Sequence, residues 1–225
     1  MNYLIATTKS WNIENFQKLK KSDKINRWFM INKPDDLSAD KLKKINPRYI
    51  FFPHWSWIIP SEIYENFECI VFHMTDLPYG RGGSPLQNLI VRGKTETKIS
   101  ALRVVEDLDA GPIYIKRELK LKGSATEIFR RFSEAAFLMI DDIIKNNPVT
   151  REQKGIPVIF KRRKPTESDI SNLDTISKIY DYIRMLDAEG YPPAFLDKNK
   201  LKLEFRRAKV VKNEILAEVI IKIIE

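Results

Sequence analysis

The sequence predicts an α/β fold in which helices cover a mostly parallel sheet, followed by a smaller C-terminal α+β region. Three observations lead to this prediction. Short apolar runs alternate with amphipathic segments from residue 3 to residue 72, a long helical pattern begins near residue 125, and two β-rich runs lie near the end of the chain. Strands that alternate with helices usually pair in parallel through right-handed crossovers.

The first part of the chain contains four short apolar runs that we interpret as buried strands. They are rich in β-branched and aromatic residues, and amphipathic segments separate them. The predicted strands are residues 3–6, 28–31, 49–52 and 69–72, and the predicted helices are residues 13–19, 38–45 and 61–67. No Gly-x-Gly-x-x-Gly motif follows the first strand, so the dinucleotide fingerprint is absent. We therefore expect a Rossmann-like fold that does not bind NAD.

The second part of the chain extends this sheet and then adds a separate region. The sequence predicts helical turns at 84–91, strands at 99–105 and 113–121, a helix at 176–186 and a hairpin from 201–209 and 216–223. Ser124 and Glu127 form a capping box, which predicts a long helix that runs to about residue 145. We predict a catalytic domain at 1–150 and a small C-terminal subdomain for substrate binding or oligomerisation at 151–225.

Composition places few limits on the function. The chain has 225 residues, of which 43% are hydrophobic and 31% charged, as in an ordinary globular protein. No apolar run is long enough to span a bilayer, the start lacks the pattern of a secretory signal, and Cys69 is the single cysteine. These features favour a cytoplasmic protein with no membrane partner.

The formal charge of +9 is compatible with several kinds of anionic partner. Clustered Lys and Arg residues favour nucleic acid, but many lysines here lie in helix-like stretches mixed with acidic residues, as on solvated helix faces. The charge would equally attract a nucleoside diphosphate or a polyglutamylated folate. We therefore do not predict a nucleic-acid partner.

The stretch from residue 72 to residue 88 holds the first candidate catalytic residue. A predicted buried strand ends at His73, and ligands of open α/β sheets bind at the carboxyl ends of strands. Three glycines surround Arg81 and allow main-chain amides to approach a ligand. A structural turn explains such a loop equally well.

The second candidate is Asp109, in a turn rich in carboxylates before the next predicted strand. Alone, it is explained by a turn aspartate that binds its own backbone. Together with His73 it suggests more, since the ends of two neighbouring strands can meet at one edge of the sheet. A histidine oriented by a carboxylate suits acid–base chemistry near neutral pH.

These residues resemble those of the N10-formyltetrahydrofolate-dependent formyltransferases. Three family motifs occur in order: His73 before Leu77-Pro78, the element Arg81-Gly-Gly-Ser-Pro85 and the turn Leu108-Asp-Ala-Gly111. The resemblance covers the whole chain and implies N10-formyltetrahydrofolate as co-substrate, with no metal. It implies that His73 and Asp109 act on an amine that attacks the formyl carbon.

Further motifs suggest one branch of this family. Arg81 to Asn88 and the segment Thr-Lys-Ser-Trp-Asn at residues 8–12 look similar to the sugar N-formyltransferases of the pseudaminic acid type, which serve cell-surface polysaccharide biosynthesis. This resemblance predicts a UDP- or dTDP-linked amino sugar as acceptor. Three alternatives remain open: formylation of a carrier-bound amino acid, formylation of methionyl-tRNA, or a non-catalytic basic RNA-binding relative.

The chain departs from the family at one catalytic position. The family places an Asn two residues before the His, where this chain has Val71. Removing one positioned donor costs about 3 to 4 kcal/mol of transition-state stabilisation, so another amide is expected to replace it. The sequence offers Asn88 as the better candidate and Gln87 as the alternative.

The resemblance also implies residues that contact the ligands. The aromatic segment after residue 52 and the backbone near residue 105 would hold the pterin; the predicted folate contacts are Trp57, Ile58, Arg103, Val105 and Asp107. The predicted substrate contacts are Trp11, Asn12, Arg81, Arg184 and Tyr191. A homodimer is left open, with the C-terminal hairpin as its natural element.

Overall fold

The computed structural model describes residues 1–224, and the predicted α/β fold class is confirmed. The strands are Asn2–Ala6 (β1), Arg27–Ile31 (β2), Tyr49–Pro53 (β3), Cys69–His73 (β4), Tyr79–Gly82 (β5), Glu96–Arg103 (β6), Ile113–Lys120 (β7), Val158–Phe160 (β8), Ala194–Lys198 (β9), Leu201–Val211 (β10) and Glu214–Ile223 (β11). The α-helices are Ser10–Ser22 (α1), Ala39–Ile45 (α2), Ser61–Tyr64 (α3), Pro85–Val91 (α4), Ala125–Asn146 (α5) and Ile176–Arg184 (α6).

A six-stranded sheet forms the main layer, in the order β2-β1-β3-β4-β6-β7. The first four strands in this order pair in parallel, as the alternation with helices predicted. β6 runs antiparallel to β4, with His73 opposite Ser100 and Ile70 opposite Arg103. The end of β6 therefore lies beside the start of β4.

The core of this layer explains why the strands are apolar on both faces. Leu4, Ile50 and Phe52 are at most 1% exposed, and helix side chains such as Leu42 and Ile63 pack against them. A strand that is covered on both faces reads as a continuous apolar run, which is the pattern of β1, β3 and β4. The sheet thus gives rigid support to the loops at its carboxyl edge.

The chain forms two compact units that interleave along the sequence. The first contains Met1–Gly82, Thr97–Leu119 and Arg130–Ile159; the second contains Gly83–Glu96, Lys120–Phe129 and the chain from Phe160 onward. This division differs from the single boundary near residue 150, because two earlier segments pack with the C-terminal part. The roles assigned to 1–150 and 151–225 stay predictions.

The second unit contains the predicted C-terminal hairpin. β10 pairs antiparallel with both β9 and β11 in a three-stranded sheet, and Thr175 caps the start of α6. Apolar side chains of the hairpin remain exposed, among them Ile221 at 63% and Ile223 at 80%. No helix within residues 1–224 has the length and apolar character needed to cross a membrane.

Candidate active site

His73 ends β4 and is held by the loop that follows it. Its side chain is buried, and Nε2 lies 2.7 Å from the carbonyl oxygen of Gly80. Thr75 Oγ1 donates to the same carbonyl at 3.3 Å. Both contacts form because the chain folds back after β4 into β5. The ring is therefore fixed at the edge of the sheet.

Asp109 lies in the turn between β6 and β7 and reaches His73. Its Oδ2 is 3.4 Å from His73 Nδ1 and accepts a hydrogen bond of 2.9 Å from the backbone N–H of Gly82. Since β6 is antiparallel to β4, its end lies away from His73, and residues 104–109 must extend back across this distance. The two side chains meet, as expected, but through a loop and not through adjacent strand ends.

The neighbours of the His73 ring determine which of its nitrogens can donate a hydrogen bond. The Gly80 carbonyl can only accept, so Nε2 must carry a hydrogen, and Nδ1 faces the Asp109 carboxylate. A neutral imidazole donates from one nitrogen, whereas an imidazolium donates from both. The 3.4 Å separation brings Nδ1 within ion-pair distance of the Asp109 carboxylate.

Arg81 lies on β5 and is engaged by Gln153. The Oε1 atom of Gln153 accepts from Arg81 Nε at 3.1 Å and from a terminal guanidinium nitrogen at 2.8 Å. Gln153 Nε2 donates to the carbonyls of Asp109 and Gly111, both at 2.8 Å. The planar end of Arg81 is thus oriented from within the first unit, which suits a guanidinium that binds an anion.

A pocket of about 270 Å³ opens beside the side chains just described. His73 and Asp109 both line it. All five predicted folate contacts also line it: Trp57, Ile58, Arg103, Val105 and Asp107. Apolar walls with backbone groups at one edge are typical of sites for flat heterocycles. The pocket fits the pterin of a folate in its chemistry, and the individual folate contacts stay predictions.

Val71 lines the same pocket, at the position where the family has its catalytic Asn. Among the described residues that line the pocket, none is an Asn or a Gln. The chain therefore presents an apolar surface where the family presents an amide donor.

Asn88, predicted to replace that Asn, lies in α4 of the second unit. Its Nδ2 donates to the carbonyls of Gly83, Ser84 and Lys161 at 2.9 to 3.1 Å. Its Oδ1 accepts from Arg92 at 2.8 Å. Both ends of the amide are occupied by the protein itself, so the geometry does not favour a catalytic role for Asn88.

The alternative, Gln87, is also occupied, because its Nε2 donates to the carbonyl of Met185 at 3.0 Å. It is 3% exposed and, like Asn88, belongs to the second unit. Both amides of this helix thus hold backbone within the second unit, which the motif could not reveal.

The predicted substrate contacts Trp11 and Asn12 are buried at the start of α1. Trp11 is 3% exposed and packs against His54, and Asn12 is fully buried. The Asn12 amide donates to Thr7 Oγ1 and to the Pro53 carbonyl, both at 2.9 Å. In this conformation these residues join α1 to β1 and β3, and contact with a substrate stays a prediction.

Arg184 and Tyr191, the other predicted substrate contacts, lie within the second unit. The Arg184 guanidinium donates to the carbonyls of Leu121 and Gly123 at 2.7 and 2.9 Å and pairs with Asp181. Tyr191 stacks on Phe129, and burial raises the pKa of its hydroxyl to about 12 against the opposing charge of Arg162. Their contacts are those of structural residues, and their predicted role stays untested.

Sequence reasoning missed the contribution of Gln153. It lies between α5 and β8, and no sequence motif marks it. The signal that exists is tertiary: Arg151 forms an antiparallel bridge with Ile113, which brings Gln153 to the Asp109 turn. Within residues 1–224, no cluster of three or more His, Cys, Asp or Glu side chains could hold a metal ion.

Comparison with protein families gives two matches. A family model described as "Formyl transferase" matches residues 17–137, which is more than half of the chain. A model described as "Methionyl-tRNA formyltransferase, C-terminal domain" matches residues 165–222. The first match contains both His73 and Asp109, and the second lies within the second unit.

Individual proteins give consistent matches. A structure titled methionyl-tRNA formyltransferase from Clostridium thermocellum is 54% identical, has a TM-score of 0.97 and covers 99% of both chains. Methionyl-tRNA formyltransferase of Thermodesulfovibrio yellowstonii is 28% identical over 81% of this chain and 59% of its own. HypX from Aquifex aeolicus in complex with tetrahydrofolic acid, with a TM-score of 0.75 and 15% identity over 94% of this chain and 39% of its own, shows the fold alone.

These comparisons correct the predicted acceptor and partners. The nucleotide-linked amino sugar, the pseudaminic acid branch and the role in polysaccharide biosynthesis are wrong, because the matches name methionyl-tRNA formyltransferases. The expectation of no nucleic-acid partner is wrong for the same reason. The stretch from residue 72 to residue 111 lies within the formyl transferase match and identified the enzyme class correctly, but reading Arg81 to Asn88 as a sign of a sugar acceptor was wrong.

Proposed function

The chain belongs to the formyl transferase family, and from that premise we propose that it transfers a formyl group to the amine of methionyl-tRNA. Membership confirms the predicted enzyme class, a folate-dependent formyltransferase, and its co-substrate N10-formyltetrahydrofolate. The observation that carries the proposal is that the His73–Asp109 pair lines the pocket suited to the pterin.

Two comparisons support methionyl-tRNA as the acceptor. The Clostridium thermocellum protein that carries this name matches over nearly the full length of both chains at 54% identity. The C-terminal match at residues 165–222 carries the same name. The chain spans about half the length of the curated relatives it matches, so the acceptor is proposed on similarity and on charge. The formal charge of +9 fits an RNA partner.

The residues present account for the proton movements of such a transfer. When bound, N10-formyltetrahydrofolate supplies the formyl carbon that the amine attacks. Asp109 Oδ2 can take the proton that the amine loses as its bond to carbon forms, and His73 can deliver a proton to the leaving nitrogen. The pair ends with as many protons as it began with, so no metal or further reactant is required.

His73 is also placed to stabilise charge. With Val71 at the position of the family's Asn, stabilisation of the developing negative charge on the formyl oxygen depends on His73. Burial of the ring at 8% exposure strengthens this interaction, because water does not screen it. This dependence predicts that loss of His73 removes both proton transfer and charge stabilisation.

The experiment that tests the proposal measures release of tetrahydrofolate with methionyl-tRNA, uncharged tRNA or free methionine as acceptor. We expect turnover with methionyl-tRNA and, for His73→Ala, a fall in kcat by about 10²- to 10⁴-fold while folate still binds. Folate binding without transfer to methionyl-tRNA would refute the acceptor. RNA binding with a steep salt dependence but without folate binding would indicate a non-catalytic RNA-binding relative.

A cytoplasmic location, where charged tRNA and reduced folates occur, stays a prediction. A homodimer through the C-terminal hairpin also stays a prediction.

A further inference from the structure

The turn that carries Asp109 is held in an uncommon conformation. Asp109 has a φ of 54°, in the left-handed region that residues other than glycine seldom adopt. Such a conformation persists only where the surrounding structure imposes it. The contacts of this turn therefore matter for the direction in which the carboxylate points.

One side of the turn is fixed by β6. A Cβ atom on Gly111 would lie 1.9 Å from the carbonyl oxygen of Arg103, and Arg103 N–H donates to the Pro112 carbonyl at 2.9 Å. The backbone thus packs directly on the end of the strand. These contacts fix where the turn lies and leave the two carbonyls of Asp109 and Gly111 without a partner from β6.

The other side of the turn is fixed by Gln153. Its Nε2 donates to the carbonyls of Asp109 and Gly111 at 2.8 Å each, so one amide group joins the left-handed residue Asp109 to the end of its turn. Its Oε1 accepts both hydrogen bonds from Arg81. The backbone bridge of Arg151 with Ile113 holds the segment that delivers Gln153.

Strand β5 connects Gln153 to the carboxylate of Asp109. Arg81, bound by Gln153, precedes Gly82, whose N–H donates to Asp109 Oδ2 at 2.9 Å. The same oxygen lies 3.4 Å from His73 Nδ1. One glutamine therefore contacts the backbone of Asp109 and, through Arg81, the strand whose amide orients the carboxylate. Loss of Gln153 releases both constraints on Oδ2 at once.

We propose that Gln153 is a positioning residue for formyl transfer, which fixes the Asp109 turn so that Oδ2 faces His73 Nδ1. The expected effect on kcat rests on the proposed function. The expected effect on the position of Asp109 rests on the hydrogen bonds alone. Gln153 is not itself among the residues that line the pocket, and its described hydrogen bonds go to Arg81 and to the Asp109 turn, so it acts through them.

Two substitutions separate the hydrogen bonds that Gln153 donates to the turn from those that it accepts from Arg81. Gln153→Met keeps the volume and removes every hydrogen bond, whereas Gln153→Glu keeps an acceptor for Arg81 and cannot donate to the two carbonyls of the turn. Gln17→Met, on the exposed face of α1, is the matched control. If the turn is the target, both substitutions of Gln153 should have the same effect.

The first readout is ¹⁵N NMR of the histidine rings, which needs no acceptor. The chain has two histidines, and His54, packed between Trp11 and Phe132, serves as internal reference. We expect the ring-nitrogen signals of His73 to move in both Gln153 variants while those of His54 stay in place. Gln17→Met should leave both sets unchanged.

The second readout is steady-state kinetics. A misplacement of about 1 Å can cost 10²-fold in rate, so we expect kcat to fall by about 10- to 100-fold in both Gln153 variants. The KM for N10-formyltetrahydrofolate should change by less than about threefold, because Gln153 does not line the pocket. Urea denaturation shows whether the variants remain folded.

The outcomes are distinguishable. Unmoved His73 signals in folded Gln153→Met would refute the proposal. Gln153→Glu with wild-type signals and kcat would restrict the role to Arg81 and also refute it. If the wild type transfers no formyl group to methionyl-tRNA but the His73 signals move as expected, the acceptor is wrong and the positioning role of Gln153 stands.

Discussion

Two side-chain amides, Asn88 and Gln153, make nearly the same hydrogen bonds in different parts of the molecule. The NH₂ group of each donates to backbone carbonyls, and the oxygen of each accepts from an arginine, Arg92 for Asn88 and Arg81 for Gln153. Only Gln153 binds the turn of Asp109. The two amides have the same chemistry and differ in the carbonyls that they bind. Under our proposal, this difference decides which of them positions Asp109.

This difference shows the limit of a motif. Asn88 follows directly after a family element, and the sequence made it the candidate for the missing Asn. Gln153 belongs to no motif and comes from a segment without regular structure. Four substitutions test the difference between these two amides and extend it to other side chains, beginning with the greatest expected loss of activity.

The largest expected effect is that of Asp109→Asn. The substitution keeps the shape of the side chain and removes the charge that faces His73, so we expect kcat to fall by about 10²- to 10⁴-fold with methionyl-tRNA as acceptor. Asp35→Asn, in an exposed turn, is the control and should be neutral. Activity near that of the wild type would mean that the turn is structural and that Gln153 and Asn88 are equivalent.

Asn88→Ala should affect stability and leave catalysis intact. It leaves three carbonyls without their donor, and we expect the free energy of unfolding to fall by about 2 to 4 kcal/mol in urea denaturation. We expect kcat of the folded enzyme to stay within about threefold of the wild-type value, since that is the range of weak indirect effects. A loss of kcat as large as that of Asp109→Asn would restore Asn88 as the catalytic amide.

Trp57→Ala extends the comparison to a side chain that the structure leaves 46% exposed. Trp57 packs on Trp55, with ring centroids 5.1 Å apart, and lines the pocket. Loss of the aromatic wall should raise the KM for N10-formyltetrahydrofolate by about tenfold, as expected for about 1.4 kcal/mol of lost binding. Leu138→Ala, at a position 55% exposed on α5, is the control. An unchanged KM would place the pterin elsewhere.

The fourth prediction concerns the other histidine, His54. Burial, assisted by Lys9, lowers the pKa of His54 to about 3. The unfolded chain, with a histidine pKa near 6.5, then binds one more proton between these values, so the stability is lost as the pH falls below 6.5. Between pH 7.5 and 5.5 we expect the wild type to lose about 1.4 kcal/mol more than His54→Gln in urea denaturation.

An equal loss in both proteins would show that His54 does not titrate on unfolding. The measured difference would separate a histidine that the fold keeps neutral from His73, whose two nitrogens both face oxygen acceptors.

Much of the fold could be predicted from the sequence because apolar runs indicate where the buried strands lie. The predicted strands at 3–6, 49–52 and 69–72 match β1, β3 and β4 within two residues. β5 was missed, since Tyr79-Gly-Arg-Gly82 has no apolar alternation. The interleaving of the two units was missed because it depends on contacts between distant segments.

The candidate site divides in the same way. His73 and Asp109 could be identified because strand ends and turn motifs are local features, and the structure places them together. The antiparallel direction of β6 and the contacts of Gln153 could not, since both are set by packing across the sheet. The acceptor was predicted wrongly because residues that bind donor and formyl group are common to enzymes with different acceptors.

The distance along the chain between Asp109 and Gln153, 44 residues, sets an order of events during synthesis. At roughly 5 to 20 residues per second, Gln153 follows Asp109 out of the ribosome after roughly 2 to 9 s. During that interval a nascent chain holds both His73 and Asp109 but lacks the glutamine that fixes their turn. Segments 83–96 and 120–129 belong to the second unit, whose remaining part is synthesised only after residue 160. Under our proposal, the chain therefore acquires His73 and Asp109 early in translation and the residue that positions them later.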